Sequence, residues 1–188
     1  MPIPASLQRR PFLAPIGVAM TTAILAVLVL VIAAWLLISS ESTTFVVVRH
    51  AEKVLDGSTD PALTDAGQAR AELLARMFGD KRLKDHIDAI YVSPPQRSRL
   101  TAAPLAQSLG ITPQIASQDD PRALARRMLR EHRGERILVV GHVDTVPALV
   151  EALSGAKDIG PIGALEYGTL YIVTVPRVGR AAVLSASY

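Results

Sequence analysis

The sequence predicts an α/β protein: a three-layer α/β/α sandwich around a mostly parallel central sheet, preceded by one N-terminal transmembrane helix. Three observations predict it. Short apolar runs rich in β-branched residues alternate with segments of helical spacing, which is the pattern of a layered sheet crossed by helices. The 188 residues are enough for one domain of ordinary size. A charge-free apolar run near the N-terminus stands apart from that alternation.

The apolar run covers residues 16–38, long enough to span a bilayer core of roughly 20 helical residues. Arg9 and Arg10 precede it, and residues 39–44 after it carry only Glu41. The excess of cations on the N-terminal side places residues 1–15 in the cytoplasm as a tail and the rest on the extracytoplasmic, periplasmic side. Trp35 lies near the outer end, where an indole favours the interface. A cleaved signal competes with the anchor, because Ile38-Ser39-Ser40 offers small residues and Arg9-Arg10 opens like a twin-arginine export signal. Residues 39–44 read as a linker, and residues 45–188 as one folded domain.

The domain opens with Phe45-Val46-Val47-Val48, four apolar residues that read as a strand buried on both faces. Residues 54–63 form a loop rich in Asp, Gly, Ser and Pro. Thr64 caps a helix that starts with Asp65 in its first turn and runs to Gly79 with apolar residues at helical spacing. Residues 87–92 make a second strand, closed by Ser93-Pro94-Pro95. A helix over 96–109 stops at Gly110, with a bend expected at Pro104. A further helix over 121–133 has Asp119 or Asp120 as cap and Gly134 as stop. Residues 136–140 form another core strand ending at Gly141-His142, and 146–153 a helix started near Asp144 or Thr145. Strands over 169–175 and 181–185 complete the domain.

Composition narrows the function. The formal charge is +3; without Arg9, Arg10 and Glu41, 18 basic side chains face 16 acidic ones. No concentrated basic face for a nucleic acid emerges from that balance, and aromatic residues at 4% offer few stacking platforms. Cysteine is absent, which removes thiolate nucleophiles, disulfides and cysteine metal sites.

Three strand ends carry residues that packing does not call for: Arg49-His50, Ser93 with Arg97 beyond it, and Gly141-His142. Open α/β sheets bind ligands at the carboxyl ends of their strands. If these strands are parallel neighbours, two imidazoles and two guanidiniums meet there and repel one another unless an anion fills the space. A phosphoryl group suits such a cluster, since Arg forks match its oxygens and each charge-assisted contact contributes on the order of 1.5–3 kcal/mol. The sequence has no glycine-rich G-x-x-x-x-G-K cradle and no acidic cluster for Mg²⁺, so side chains alone would hold the phosphate, with no metal and no cofactor. A zinc site on His50 and His142 lacks a clear third ligand and would sit beside two arginines.

Arg49-His50-Ala51-Glu52, Leu63-Thr64 with Gly67, Ser93-Pro94 with Arg97 and Thr101-Ala102, and Gly141-His142 together resemble the histidine phosphatase superfamily, also called phosphoglycerate mutase-like. The resemblance covers essentially residues 45–185 in order and is nearest to short bacterial members beginning Arg-His-Ala-Glu-Lys. It implies that His50 is the nucleophile, transiently phosphorylated, and that Arg49, Arg97 and His142 clamp the phosphoryl oxygens. A neutral imidazole is chemically able to do this when its other nitrogen is held. It also implies a phosphorylated small molecule or a phosphoprotein as partner.

Many members carry an acidic residue that protonates the leaving group. Glu52 and Asp144 are the candidates here by nearness; Asp144 stands where short members often have Asn. Members acting on phosphohistidine manage without a donor, because imidazole leaves readily. Ser93 reads as a capping residue, Arg99 as a solvated helix charge, and His86 and His132 as surface side chains. A phosphomonoesterase or phosphohistidine phosphatase is thus the first reading, and a catalytically idle module that binds phosphorylated ligands at the cell envelope the second. The chain lacks the insertions of the family's larger mutases.

Overall fold

The structure, a computed structural model, describes residues 14–39, 42–83, 86–157 and 159–188. The chain divides into two units, residues 1–40 and 41–188. The first contains α1 (Ala14–Ser39). Within it Gly17–Leu36 has a mean hydropathy of 2.6 and is exposed along its whole length. It is apolar all the way round, and by length and composition it is able to cross a membrane. A signal sequence near an N-terminus has the same character. Arg9, Arg10 and Glu41, on which the sidedness argument turns, lie outside the described residues.

The second unit is a six-stranded sheet in the order β3-β2-β4-β1-β5-β6. β1 (Ser42–Arg49), β2 (Ala89–Val92), β3 (Gln114–Ile115) and β4 (Arg136–Gly141) run parallel. β5 (Thr169–Pro176) pairs antiparallel with β1, and β6 (Ala182–Ser187) antiparallel with β5. The alternating side chains of β1 divide the core. Phe45 and Val47 pack with Met128 of α4 (Pro121–Glu131) and Leu149 of α5 (Thr145–Ser154). Val46 and Val48 pack with Leu74 of α2 (Asp65–Phe78) and Leu105 of α3 (Gln96–Leu109). A strand buried on both faces needs this continuous apolar run, and the two helix pairs are the outer layers of the sandwich.

Local chemistry fixes the element ends. Thr64 Oγ1 accepts from the Gly67 N–H at 3.1 Å to start α2, and Asp120 Oδ1 accepts from the Ala123 N–H at 2.9 Å to start α4. Gly110 ends α3 in the left-handed region, at φ 62°. α3 is continuous through Pro104.

Several elements differ from the expectation. β1 starts at Ser42, inside the stretch read as a linker; Thr43 is buried and accepts from the Gly134 N–H, while Thr44 pairs with Arg136 and Thr174. Polar as they are, these β-branched residues are drawn into the sheet by neighbours on both sides. β2 starts two residues later than expected, although Ile87 is fully buried ahead of it. α4 stops at Glu131, and β3 is a two-residue edge with too little sequence to signal a strand. His132, read as a surface side chain, is only 15% exposed: its ring lies 2.9 Å from the Tyr91 hydroxyl and 2.6 Å from Glu135 Oε2. The C-terminal end of α4 turns the ring under the helix.

One close approach joins the fold to the site. A Cβ on Gly67 would stand 2.2 Å from the carbonyl oxygen of Glu52, two residues after His50. Helix propensity favours Ala over Gly by about 1 kcal/mol, but intrusion into a packed backbone costs about 1–3 kcal/mol or more. Gly67→Ala is therefore expected to lower the thermal midpoint followed by circular dichroism by roughly 2–8 °C. An unchanged or raised midpoint would contradict the tight contact.

Candidate active site

The sheet order places β2, β4 and β1 side by side, with Arg49 in register with Gly141, and Val92 with Val140. Their carboxyl ends therefore emerge together, carrying Ser93, His142 and His50. The rings of His50 and His142 lie 5.3 Å apart, nearly edge to face at 63°. Arg97, in the first turn of α3, brings the second guanidinium to the same place; it depresses the pKa of both imidazoles.

Each imidazole is held. His50 is buried, and its Nδ1 lies 2.8 Å from the carbonyl oxygen of Ala51. A carbonyl only accepts, so Nδ1 carries the proton and Nε2 keeps its lone pair. The Ala51 N–H donates to Thr101 Oγ1 at 2.9 Å, and that hydroxyl donates to the Arg97 carbonyl at 2.8 Å. His142 Nε2 lies 2.9 Å from Ser93 Oγ, which donates to Ser98 Oγ at 2.6 Å. Ser93 thus does more than cap a turn: it orients the second imidazole.

Burial pushes the His50 pKa down to about 4, with Arg97, His142 and Arg49 adding to the shift and the Ala51 carbonyl opposing it. His142 is lowered as well, first by burial and then by Arg97, while Asp144 opposes. Both rings are neutral at pH 7. Among the described residues neither the Arg49 nor the Arg97 guanidinium forms an ion pair with a carboxylate. The Nε atoms of Arg49 and Arg97 are both buried without a hydrogen-bond partner. Orphaned buried donors of charged groups are costly and call for an acceptor.

The two candidate proton donors are placed differently. Glu52 faces Arg70, whose Nε lies 3.0 Å from both its oxygens and whose Nη2 lies 2.7 Å from Oε1. Arg70 holds the Glu52 carboxyl below its ordinary range, so Glu52 is an ionised structural partner and a poor proton donor. Asp144 is exposed at the start of α5, and its side chain makes no capping hydrogen bond. Arg99 is half-exposed at the rim, 3.9 Å from Asp60. Among the described residues no group of three His, Asp or Glu side chains is placed to hold a metal ion.

Two participants were not legible in the sequence. Gln118, between β3 and α4, is buried; it donates to the Val140 carbonyl at 3.0 Å and accepts from Thr145 Oγ1 at 2.7 Å. Thr145 Oγ1 accepts in turn from the His142 N–H at 2.9 Å, so Gln118 fixes the turn that presents His142. A Cβ on Gly141 would lie 2.5 Å from Gln118 Oε1, and only glycine allows that approach. Tyr167, just ahead of β5, stacks on Arg49 at 4.1 Å and lies 6.0 Å from the His50 ring. Neither belongs to a periodic segment or a motif.

Known proteins share this fold. The family model of the histidine phosphatase superfamily (branch 1) matches residues 45–120. The chain is 36% identical over 69 residues to phosphoserine phosphatase 1 of Hydrogenobacter thermophilus (strain DSM 6534 / IAM 12695 / TK-6); the match covers 34% of this chain and about a third, 31%, of that protein. Among solved structures, the protein histidine phosphatase SixA complexed with tungstate superposes with a TM-score of 0.61 at 20% identity, covering 77% of this chain and 96% of SixA. The mycobacterial glucosyl-3-phosphoglycerate phosphatase superposes with a TM-score of 0.60 at 15% identity, covering 76% of this chain and 97% of its own. Over residues 45–120, which carry Arg49, His50, Ser93 and Arg97, the chain is similar in sequence to the histidine phosphatase superfamily, and it shares the fold of the solved phosphatases.

Proposed function

We propose that the soluble unit is a metal-independent phosphatase that works through a phosphohistidine on His50. The observation that carries this reading is the pair of buried, partnerless guanidinium donors beside two imidazoles that burial keeps neutral. Two positive charges match the charge of about −1.5 to −2 on a phosphomonoester at neutral pH, and its oxygens supply the missing acceptors. The tungstate in SixA is an oxyanion of similar shape, which supports the same reading.

In the proposed reaction His50 Nε2 attacks phosphorus, and the bond from phosphorus to the leaving group breaks. Arg49 and Arg97 balance the charge on the non-bridging oxygens as the phosphoryl group moves, and His142, held by Ser93, lies beside them. Water then attacks phosphorus, the P–N bond breaks, and inorganic phosphate and free His50 are released. Of the two carboxyls, Asp144 is the one left to protonate an oxygen leaving group. A site with one exposed carboxyl suits leaving groups of low basicity, among them the imidazole of phosphohistidine. For an uncleaved α1, the sequence argument for sidedness puts this chemistry on the periplasmic face of a membrane.

The purified chain is expected to hydrolyse 4-nitrophenyl phosphate in the presence of chelator and to form an acid-labile, base-stable phosphoenzyme. His50→Ala should abolish both, and Arg97→Ala should lower kcat/KM about 10²–10³-fold. Full turnover by His50→Ala would remove the mechanism; saturable phosphate binding without turnover or phosphoenzyme in the wild type would point to a binding module instead.

Asp144→Asn should slow hydrolysis of an alkyl phosphate by about 10²-fold or more while changing that of 4-nitrophenyl phosphate only a few-fold. Equal losses on both substrates would exclude a proton-donating role.

A titration of the His50 ring by NMR in anion-free buffer should give a midpoint near 4, not near 6.5. Because the folded value lies below the unfolded one, the unfolded chain takes up a proton that the native ring refuses. Stability linked to His50 is therefore complete above 6.5 and is lost as the pH falls toward 4. Binding of inorganic phosphate should raise the midpoint, and a midpoint at or above 6 in the free protein would contradict the buried neutral ring.

A further inference from the structure

The segment between α5 and β5 closes over Arg49. Nη1 of Arg49 donates to three backbone carbonyls, those of Gly163 at 3.0 Å, Ala164 at 2.9 Å and Glu166 at 3.0 Å. The Tyr167 ring lies flat enough on the guanidinium to put its centroid 4.1 Å from Cζ. Arg49 Nε is left buried and unpartnered.

This arrangement is itself held in place. Glu166 Oε2 accepts from the Gly163 N–H at 3.1 Å, and its other oxygen accepts from the Thr169 hydroxyl, which closes the turn on itself. Beyond Tyr167, the Gly168 carbonyl accepts from the Tyr188 N–H at 3.0 Å, and Arg70 donates to the Tyr188 carbonyl while paired with Glu52. A ring on such an anchored turn is a fixed surface.

Carbonyl dipoles and a π face attract a guanidinium without neutralising it, whereas a carboxylate in the same place would cancel the charge and compete with an incoming anion. Resting on the phosphatase reading above, we infer that residues 163–167 form a clamp that presets Arg49, and that Tyr167 is a positioning residue for phosphate binding. Nη1 is occupied by the turn and the ring lies against the guanidinium, so the Nε–H, which has no partner of its own, is the donor left for a phosphoryl oxygen. Tyr167 acts through Arg49 and takes no proton.

The test is calorimetric titration of the full-length chain with inorganic phosphate. Tyr167→Ala is expected to weaken phosphate binding by about three- to tenfold, whereas Tyr167→Phe, which keeps the ring, should stay within twofold of wild type. In an Arg49→Gln background, Tyr167→Ala should change the affinity less than twofold, because the group it orients is gone. Tyr167→Leu, which preserves bulk and lacks the π face, repeats the measurement should the alanine variant not fold, and it should behave like Ala. Undiminished binding by both Ala and Leu variants, a Phe variant as weak as Ala, or additive losses in the Arg49→Gln background would each overturn the clamp. So would a wild type that binds no phosphate. A wild type that binds phosphate but forms no phosphoenzyme refutes the phosphatase chemistry and leaves the clamp standing.

Discussion

The site depends on a buried positive charge with which, among the described residues, no carboxylate forms an ion pair. Arg49 is 6% exposed; backbone carbonyls and an aromatic face touch it, and the Glu52 and Glu166 carboxylates act on it only from beyond ion-pair distance. Burying a charge in that way is costly unless its donors are satisfied. Nη1 is satisfied by the turn before β5, and Nε is not. On the proposed reading, an entering anion would supply acceptors for that edge and for the Nε of Arg97. Burial first, and the field of the arginines after it, lowers the pKa of His50 and His142 and keeps both imidazoles neutral.

The parallel half of the sheet makes this possible. In a parallel pair every strand delivers its end to the same side, and β2, β4 and β1 deliver Ser93, His142 and His50 within a few ångströms of one another. Around them, polar contacts carry position from one element to the next. Thr101 links Ala51 to α3; Gln118 and Thr145 link β4 to the start of α5; Arg70 links Glu52 to the C-terminal strand. Glu52 therefore contributes geometry, and Asp144 is exposed at the start of α5, where its side chain makes no capping hydrogen bond.

The core strands and helices were legible because their signals are strong and local: four consecutive apolar residues at Phe45–Val48, a capped amphipathic stretch from Thr64, and the glycines Gly79 and Gly110 that end α2 and α3. The parts that were not legible rely on neighbours distant in sequence. Ser42, Thr43 and Thr44 look like linker residues and become strand only through pairing with β5 and, at Thr44, β4. His132 is flanked by charged residues yet packs against Tyr91, which no local pattern reveals. Arg49, His50, Arg97 and His142 could be chosen because a cation or imidazole at the end of an apolar strand has no packing rationale. Gln118 and Tyr167 sit in irregular segments, where side-chain type carries no periodic meaning and only the fold brings them to the site.

The antiparallel pairing of β5 with β1 has a broader consequence. Because β5 runs back from the site, the connection from α5 must cross the rim before it can enter the sheet, and it does so over Arg49. The reacting nitrogen and the rim thus belong to separate pieces of chain, one locked in the core and the other spliced in at two ends. A change in the length of the second piece would reshape the rim over Arg49 while leaving the strand ends of the first in place, so the two are separable parts of one architecture.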